Sequence, residues 1–146
     1  MSSSKAAQAV NAMKRVMSFL NEKNTFDKVM QKVQITSGDV GHCICELKVE
    51  EEHTNRVGFL HGGLTATLVD SVSTVALMST EQGNPGVSVD MNITYMKAVP
   101  LGQEIIIDAK TLKVGRSTAF LTVDIKNKSD GSLVAQGRHT KHLLGK

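Results

Sequence analysis

The sequence predicts an α+β protein in which a curved antiparallel sheet of about six strands wraps around one long central helix. Residues 62–82 form the longest stretch with helical spacing, and apolar residues cover most of that helix surface. Strand-like segments lie on both sides of it, and short turns join the last three. An antiparallel sheet must bury one face, and a helix this apolar must be covered. Wrapping the sheet around the helix satisfies both requirements.

The composition is typical of one globular domain and argues against several classes of function. The chain has 146 residues, of which 40% are hydrophobic and 21% are charged, which argues against disorder. A net charge of +3 and an aromatic content of 3% do not suggest a nucleic-acid-binding protein. The slightly basic balance favours an anionic small molecule as a ligand. No apolar run reaches the ~18 residues of a membrane span, so no span is expected.

The N-terminal segment, residues 1–32, is expected to be helical, and residues 33–146 form the main domain. Helical spacing is shown by Val10, Met13, Val16, Met17 and Leu20. A docked amphipathic helix is the favoured interpretation, followed by a short helical continuation at 25–32. A mitochondrial transit peptide has a similar pattern but more arginine. The expected location is therefore the cytoplasm, the mitochondrion or both.

Six segments have the pattern of strands, namely 33–37, 40–49, 87–96, 103–114, 117–126 and 133–143. Turn signals at 114–116 and 129–131 join the last three as an antiparallel meander. Cys43 and Cys45 lie on one face of the second strand, where they are poorly placed to bridge each other. Two buried free thiols in a reducing compartment are expected.

The start of the central helix is suited to stabilise a negative charge. Gly62 and Gly63 begin it, where backbone N–H groups lack intrahelical partners and the helix dipole is positive. His61 and Asn55 lie nearby and offer side-chain donors. Two glycines also permit a tight entry into a helix, and a single His or Asn in a loop is usually structural. The residues alone leave both interpretations open.

Asp70 lies among the apolar residues of the central helix, where an unpaired carboxylate is costly. It is either a core aspartate satisfied by Ser71, Thr74 or a backbone group, or an acid that faces a wet cleft. Both readings have about equal weight from the residues alone.

Four blocks of sequence resemble the hotdog-fold acyl-CoA thioesterases. They are HTN at 53–55, HGGLTATLVD at 61–70, PGVSVDMNITYM at 85–96 and GRHTKHL at 137–143. The resemblance implies that residues 33–146 form a hotdog thioesterase domain. It implies hydrolysis of medium- or long-chain fatty acyl-CoA by attack of water, with neither metal nor cofactor. It also implies a homotetramer built as a dimer of dimers.

The resemblance also assigns roles to single residues. It implies that Asn55 and Gly62 hold the thioester carbonyl, with His61 as a further donor. It implies that Asp70 orients and activates the water, and that Ser88 helps to hold it. Whether the water attacks directly or the carboxylate first forms an anhydride stays open.

The separation of these residues predicts that two chains share each site. Gly62 and Asp70 are eight residues apart, and a helix rises 1.5 Å per residue, which separates them by about 12 Å. A general base must lie within about 3 Å of the proton that it removes. We therefore expect Asp70 of one chain to act on a carbonyl held by Gly62 of another, across a two-fold axis.

A basic hairpin is expected to bind the phosphates of CoA through Lys113, Val114, Gly115, Arg116, Ser117 and Thr118. A solvated turn would have the same composition. Added positive charge is expected on the last strand from Arg138, His139, Lys141 and His142. The resemblance makes His142 a CoA contact, and adds Ser88, Asp90 and Tyr95 to the substrate contacts. His139 and His142 should point to opposite faces of their strand, which argues against a metal site.

Two rival functions follow from the same fold. A non-catalytic acyl-CoA-binding or scaffold protein would keep the nucleotide cleft and act through partners, such as a lipid-transfer protein. The presence of Asp70 disfavours this rival. A hotdog hydratase is weaker still, because its paired Asp and His motif has no convincing counterpart in the sequence.

Overall fold

The computed structural model describes residues 2–145, and the side chains of residues 5–145. Within that range, the chain forms two α-helices, two 3₁₀ helices and six strands. In order they are α1 (Ser2–Asn21), a 3₁₀ helix (Phe26–Met30), β1 (Gln34–Asp39), β2 (His42–Lys48), a second 3₁₀ helix (Glu51–His53), α2 (Gly62–Met78), β3 (Val87–Tyr95), β4 (Glu104–Val114), β5 (Thr118–Asn127) and β6 (Leu133–His142). Each of the six strands begins and ends within two residues of the sequence prediction, so all six are confirmed.

The strands form one antiparallel sheet in the order β1-β2-β4-β5-β6-β3. The predicted meander of the last three strands is confirmed, because β5 pairs with both β4 and β6. After α2, the chain enters β3, which pairs with β6 at one edge of the sheet. This crossover places Ser88 beside Lys141 and Tyr95 beside Ala135. The start of β3 therefore lies next to the end of β6.

The central helix is shorter than predicted. It begins at Gly62 as expected but ends at Met78, whereas the prediction continued to residue 82. The hydroxyls of Ser79 and Thr80 donate hydrogen bonds to the carbonyls of Ala76 and Leu77, at 2.7 Å and 2.6 Å. These side chains satisfy carbonyls that a further helical turn would have used, so the helix stops there.

The sheet packs around α2, which contacts five strands, β2 to β6. The apolar positions predicted for this helix are all buried: Leu64, Leu68, Val69, Val72, Val75, Ala76 and Leu77. At one point the helix and sheet approach very closely. A Cβ atom on Gly137 of β6 would lie 2.6 Å from Cγ1 of Val69. Only a residue without a side chain fits at that position without displacing the helix.

The predicted N-terminal helix α1 is present and packs against β1 and α2. Its inner residues Ala9, Met13 and Met17 are buried in the same core as the residues of α2. Cys43 and Cys45 are buried and free, with their sulfur atoms 3.7 Å apart on one face of β2, as predicted. Neither helix in the described part of the chain has the length and hydropathy that a bilayer crossing requires.

One side of the molecule stays uncovered in the single chain. All nine residues of β3 are exposed or half-buried, and only β6 pairs with this strand. The neighbouring side of α2 carries small and polar residues that are also exposed or half-buried, among them Gly63, Thr67 and Asp70. The helix is therefore covered on three sides, and its fourth side opens next to an unpaired strand edge.

Candidate active site

The loop before α2 fixes the first residues of the helix. His61 is the N-cap residue, and its Nδ1 accepts a hydrogen bond of 2.8 Å from the N–H of Gly63. Because Nδ1 is an acceptor, the neutral ring carries its proton on Nε2 and can donate there. The N–H of Gly62 makes no hydrogen bond to any described residue. The helix start therefore leaves the N–H of Gly62 and Nε2–H of His61 free.

Asn55 is oriented by its own turn. Its Oδ1 accepts hydrogen bonds of 3.1 Å from the N–H groups of both Val57 and Phe59. Two N–H donors require the oxygen, not the nitrogen, at that position, so the side-chain NH₂ group points away from the turn. That NH₂ group has no partner among the described residues. Asn55 can therefore donate to a carbonyl of a bound molecule.

Tyr95 lies over the start of α2 from the end of β3. Its hydroxyl donates a hydrogen bond of 2.9 Å to the carbonyl of Gly62. Beside it lies a cavity of 380 Å³, lined by Asn55, Phe59, Leu60, Thr65, Tyr95, Met96, Lys97, Ala98, Val99, Val134 and Ala135. Most of these residues are apolar, so the cavity can hold a hydrocarbon segment next to the free donors.

The carboxylate of Asp70 is half-exposed, with 50% of its side chain accessible. It makes no hydrogen bond to any described residue, since Thr74 and Ser73 bond instead to the backbone carbonyl of Asp70. Nε2 of His139 lies 3.9 Å from Oδ1 of Asp70. Asp70 is thus an acid on the open side of the helix, and not a core aspartate satisfied by its neighbours.

His139 connects three elements through one chain of hydrogen bonds. Its Nε2 lies 2.7 Å from Oγ of Ser88 on β3, and its Nδ1 lies 2.8 Å from Oγ of Ser73 on α2. Ser73 donates its own hydroxyl proton to the carbonyl of Asp70, at 3.1 Å. Oγ of Ser73 then accepts from Nδ1–H, and in a neutral ring Nε2 accepts the proton of Ser88. The neutral form of His139 in this network is therefore the Nδ1-protonated tautomer.

The electrostatics agree with this assignment. Burial lowers the pKa of His139 below its ordinary value, the charge of Lys141 lowers it further, and Asp70 and Asp90 oppose the shift. Burial also lowers the pKa of Lys141, with Asp70 opposing that shift. Both residues lie on the inner face of β6. A neutral His139 leaves Ser88 free to accept a hydrogen bond from another molecule.

The basic hairpin between β4 and β5 is exposed, and the end of β6 lies next to it. His142 of β6 pairs with Thr118, and the N–H of Leu143 donates to the carbonyl of Ser117 at 2.8 Å. The side chains of Lys113 and Arg116 are both exposed. A pocket of 520 Å³ opens here, lined by Gln82, Asn84, Gly115, Arg116, Leu143, Leu144 and Gly145. The structure thus brings His142 and the hairpin together.

The expected surface charge on β6 is only partly present. Arg138 and His142 are exposed, but His139 and Lys141 point inward and are buried. Side chains alternate along a strand, so consecutive basic residues cannot all face the solvent. The prediction that His139 and His142 point to opposite faces is confirmed.

Within the described residues, one group of side chains has metal-binding spacing, away from α2. Glu50, Glu52 and His53 place one ligand atom each within 4.8 Å of one another. Nζ of Lys32 lies 2.6 Å from Glu50 and 2.9 Å from Glu52, so a cation already holds both carboxylates. Nδ1 of His53 accepts from the backbone of Glu50. This group is a set of ion pairs and a helix cap.

The sequence analysis did not predict Ser73, Gly137, or the inward position of His139 and Lys141. The strict alternation of β6 was the signal available for the last two. Ser73 has no such signal, because its position opposite His139 depends on how α2 lies across the sheet.

Comparison with known proteins identifies the family. A model of the thioesterase superfamily matches residues 57–134. Acyl-coenzyme A thioesterase 13 of Mus musculus is 58% identical over 131 residues, covering 90% of this chain and 94% of that protein. The crystal structure of zebra fish thioesterase superfamily member 2 is 56% identical, with a TM-score of 0.90 over 92% of this chain and 98% of that one.

A third match includes a ligand in its description. It is the structure of a hypothetical thioesterase protein with coenzyme A from Streptococcus pneumoniae TIGR4. That protein is 27% identical, with a TM-score of 0.79 over 90% of this chain and 97% of that one. These similarities confirm the predicted hotdog fold and the family resemblance. The chain belongs to the thioesterase superfamily.

Proposed function

We propose that this protein hydrolyses acyl-CoA thioesters to a free fatty acid and CoA, at a site that two chains build together. Its similarity to an acyl-CoA thioesterase at 58% identity supports the reaction and the substrate class. The relative described with coenzyme A supports a nucleotide cleft in this fold.

The separation of two groups of residues on one open side of α2 supports the shared site. Free donors of Asn55, His61 and Gly62 surround the start of the helix. Asp70 lies about 12 Å further along the helix, and Ser88 lies near it, because both approach Nε2 of His139. A water bound at Asp70 cannot reach a carbonyl held at Gly62 of the same chain. Two chains related by a two-fold axis, with their α2 helices antiparallel, would bring the two groups together.

The proposed mechanism uses each group once. The N–H of Gly62, the NH₂ of Asn55 and Nε2–H of His61 hold the thioester oxygen, which becomes negative when water adds to the carbonyl carbon. The positive end of α2 stabilises that charge. Asp70 of the second chain takes a proton from the water, while Ser88 accepts a hydrogen bond from it. The C–S bond then breaks, and the CoA sulfur leaves as a thiolate that takes up a proton.

The CoA and acyl parts of the substrate are proposed to bind on either side of the reacting carbonyl. The CoA phosphates would lie on the hairpin tip with Arg116 and Lys113, next to His142. The acyl chain would enter the apolar cavity at Tyr95, which favours medium or long chains. Asp90 would be a further substrate contact, since it lies on β3 close to Ser88.

Complementation of two inactive variants tests the shared site. Asn55→Ala and Asp70→Asn each remove one half of every site, so each purified variant is expected to lose most CoA release from palmitoyl-CoA. In a mixed oligomer, one of the two sites receives an intact Asn55 and an intact Asp70. Random mixing should therefore restore about a quarter of wild-type activity.

The same assay separates the alternatives. Restored activity in the mixture supports sites shared between chains. No recovery, with mixed oligomers shown by mass spectrometry, would contradict the shared site. Equal rates for wild type and Asp70→Asn would remove Asp70 as the base. Binding of palmitoyl-CoA without CoA release by the wild type would favour a non-catalytic binding or scaffold protein.

We further propose a homotetramer, built as a dimer of dimers, located in the cytoplasm, the mitochondrion or both. The uncovered edge of β3 supports association, and the two buried free thiols fit a reducing compartment. Sedimentation velocity of the purified protein tests the assembly. Fractionation of cells that express the chain tests the location.

A further inference from the structure

Lys141 is a buried lysine that the proposed mechanism does not use. Its side chain points inward from β6, and the residue is only 4% exposed. Its Nζ donates one hydrogen bond of 2.7 Å, to Oγ1 of Thr74 on α2. This is the only hydrogen bond that the ammonium makes within residues 5–145, although it has three donors. Burying a charge with so few partners is costly, so its retention needs another reason.

The position of the Lys141 ammonium supplies a reason for keeping this charge. Thr74 donates its own proton to the carbonyl of Asp70 at 2.7 Å, so Lys141 is fixed on the turn of α2 that carries Asp70. Two residues earlier on the same face of β6 lies His139, which bonds to Ser88 and Ser73. Lys141 and His139 therefore project from the same buried face of β6, about 7 Å apart along the strand, with the ammonium held by Thr74.

The charges that face His139 oppose one another. Lys141 on β6 disfavours a second proton on the ring, whereas Asp70 on α2 and Asp90 on β3 favour it. The direct neighbours of His139 across the sheet, Met91 of β3 and Leu121 of β5, are apolar. Lys141 is thus the one positive group among the described residues that counteracts the two carboxylates.

We propose that Lys141 is a positioning residue that keeps His139 neutral, so that Nε2 continues to accept the proton of Ser88. Were the ring protonated, Nε2–H would donate to Ser88 or to Asp70, at the present distances of 2.7 Å and 3.9 Å. Ser88 would then lose the orientation that lets it hold water, and the charge of Asp70 would be partly neutralised. This inference rests on the proposed hydrolysis for its effect on rate, but its effect on His139 can be measured without any reaction.

The first measurement is the titration of His139 by NMR in the full-length protein. In Lys141→Met, which keeps the length of the side chain but removes its charge, the titration midpoint of His139 should rise by about one pH unit. Lys141→Arg should stay close to wild type, because the charge is retained. Lys128→Met serves as a matched control, since Lys128 pairs with Glu46 and Glu104 on the outer surface. An unchanged midpoint in folded Lys141→Met would overturn the proposal.

The second measurement is the pH dependence of kcat/KM for palmitoyl-CoA. The acid limb should move to higher pH by the same amount in Lys141→Met, and not in Lys128→Met. Because the position of the limb does not depend on the amount of folded enzyme, partial misfolding does not affect it. If Lys141→Met does not fold, Thr74→Val removes the oxygen that fixes the ammonium, and the same upward shift is expected. An inactive wild type would contradict the proposed hydrolysis, whereas the NMR titration would still decide the role of Lys141.

Discussion

His139 of β6 is hydrogen-bonded to Ser73 of α2 and to Ser88 of β3, so its ring links one helix and two strands. Its ring lies between Ser73 and Ser88, and burial together with the charge of Lys141 favours the neutral ring. The lowered pKa of His139 means that the unfolded chain binds a proton at a higher pH than the folded chain does. Folding stability is therefore coupled to this proton.

The sign of the coupling gives a prediction. The stabilisation is fully present above the ordinary histidine value of 6.5 and is lost as the pH falls below it, because the unfolded state then takes up the proton first. In His139→Gln this loss of stability should be smaller than in the wild type. The melting temperature of the variant should therefore fall less between pH 7.5 and pH 5.5, which lie about one unit above and below the ordinary histidine value. His142→Gln, an exposed change on the same strand, should keep the wild-type dependence. A wild-type slope in His139→Gln would show that the proton binds elsewhere.

The two glycines at the start of α2 are predicted to differ. A Cβ on Gly62 would meet Tyr95 at an ordinary contact of 3.6 Å, so Gly62→Ala should change the unfolding free energy by less than about 0.5 kcal/mol. The added methyl group lies beside the free N–H, and kcat/KM should fall at least about tenfold.

Gly63→Ala is the matched comparison. Its Cβ would lie 3.0 Å from Nδ1 of His61, which caps the helix, so this variant should lose about 1 kcal/mol of stability. Thermal unfolding and CoA release, measured on both variants, check the pair. Full activity in Gly62→Ala would contradict a role for close approach to that N–H.

At the scale of elements, the position of α2 on the sheet depends on the contact between Gly137 and Val69. Gly137→Ala should destabilise the protein by about 1–3 kcal/mol, because the new methyl group has no room beside the Val69 side chain. Val69→Ala removes both γ-methyl groups, so adding it to Gly137→Ala should restore part of that loss. Urea unfolding of the four proteins in a double-mutant cycle measures the coupling. Additive effects would show that the two residues do not limit the approach.

The sequence could predict those elements that depend on local signals. The period of two in β2 and the turn residues between β4, β5 and β6 are local signals, so the strands were predicted within two residues. The end of α2 was not predicted correctly. The hydroxyls of Ser79 and Thr80 compete with backbone N–H groups for the last helix carbonyls, and this competition depends on the folded geometry. The family resemblance supplied Asn55, Gly62 and Asp70 as candidates. The link from Ser73 through His139 depends on packing between distant segments, and no local pattern in the sequence indicates it.

At the scale of the whole molecule, the uncovered edge of β3 and the open side of α2 form one continuous unsatisfied region. An exposed strand edge invites pairing with another chain. Val89 of β3 is 65% exposed, and the register shift between Ser88 and Asp90 leaves it without a partner on β6. The proposed shared site requires this region to be covered by a second copy.

A charge placed on that edge tests the assembly and the chemistry together. Val89→Glu should weaken self-association at least about tenfold and reduce CoA release in proportion, because two such carboxylates would approach each other across the axis. Val40→Glu, which changes a valine that is 52% exposed between β1 and β2, should alter neither property. Sedimentation velocity and activity, measured over the same concentration range, check the prediction. Full activity in a monomeric Val89→Glu protein would contradict it.

The hydrogen bond from Tyr95 to Gly62 has an optical consequence. The chain contains no tryptophan and a single tyrosine, so ultraviolet emission comes almost wholly from one phenol. That phenol lies over the start of α2, where the N–H of Gly62 is free to donate to a substrate carbonyl. The protein therefore carries its own unlabelled fluorophore at the entrance of the cavity, and stopped-flow emission can follow ligand arrival there in real time.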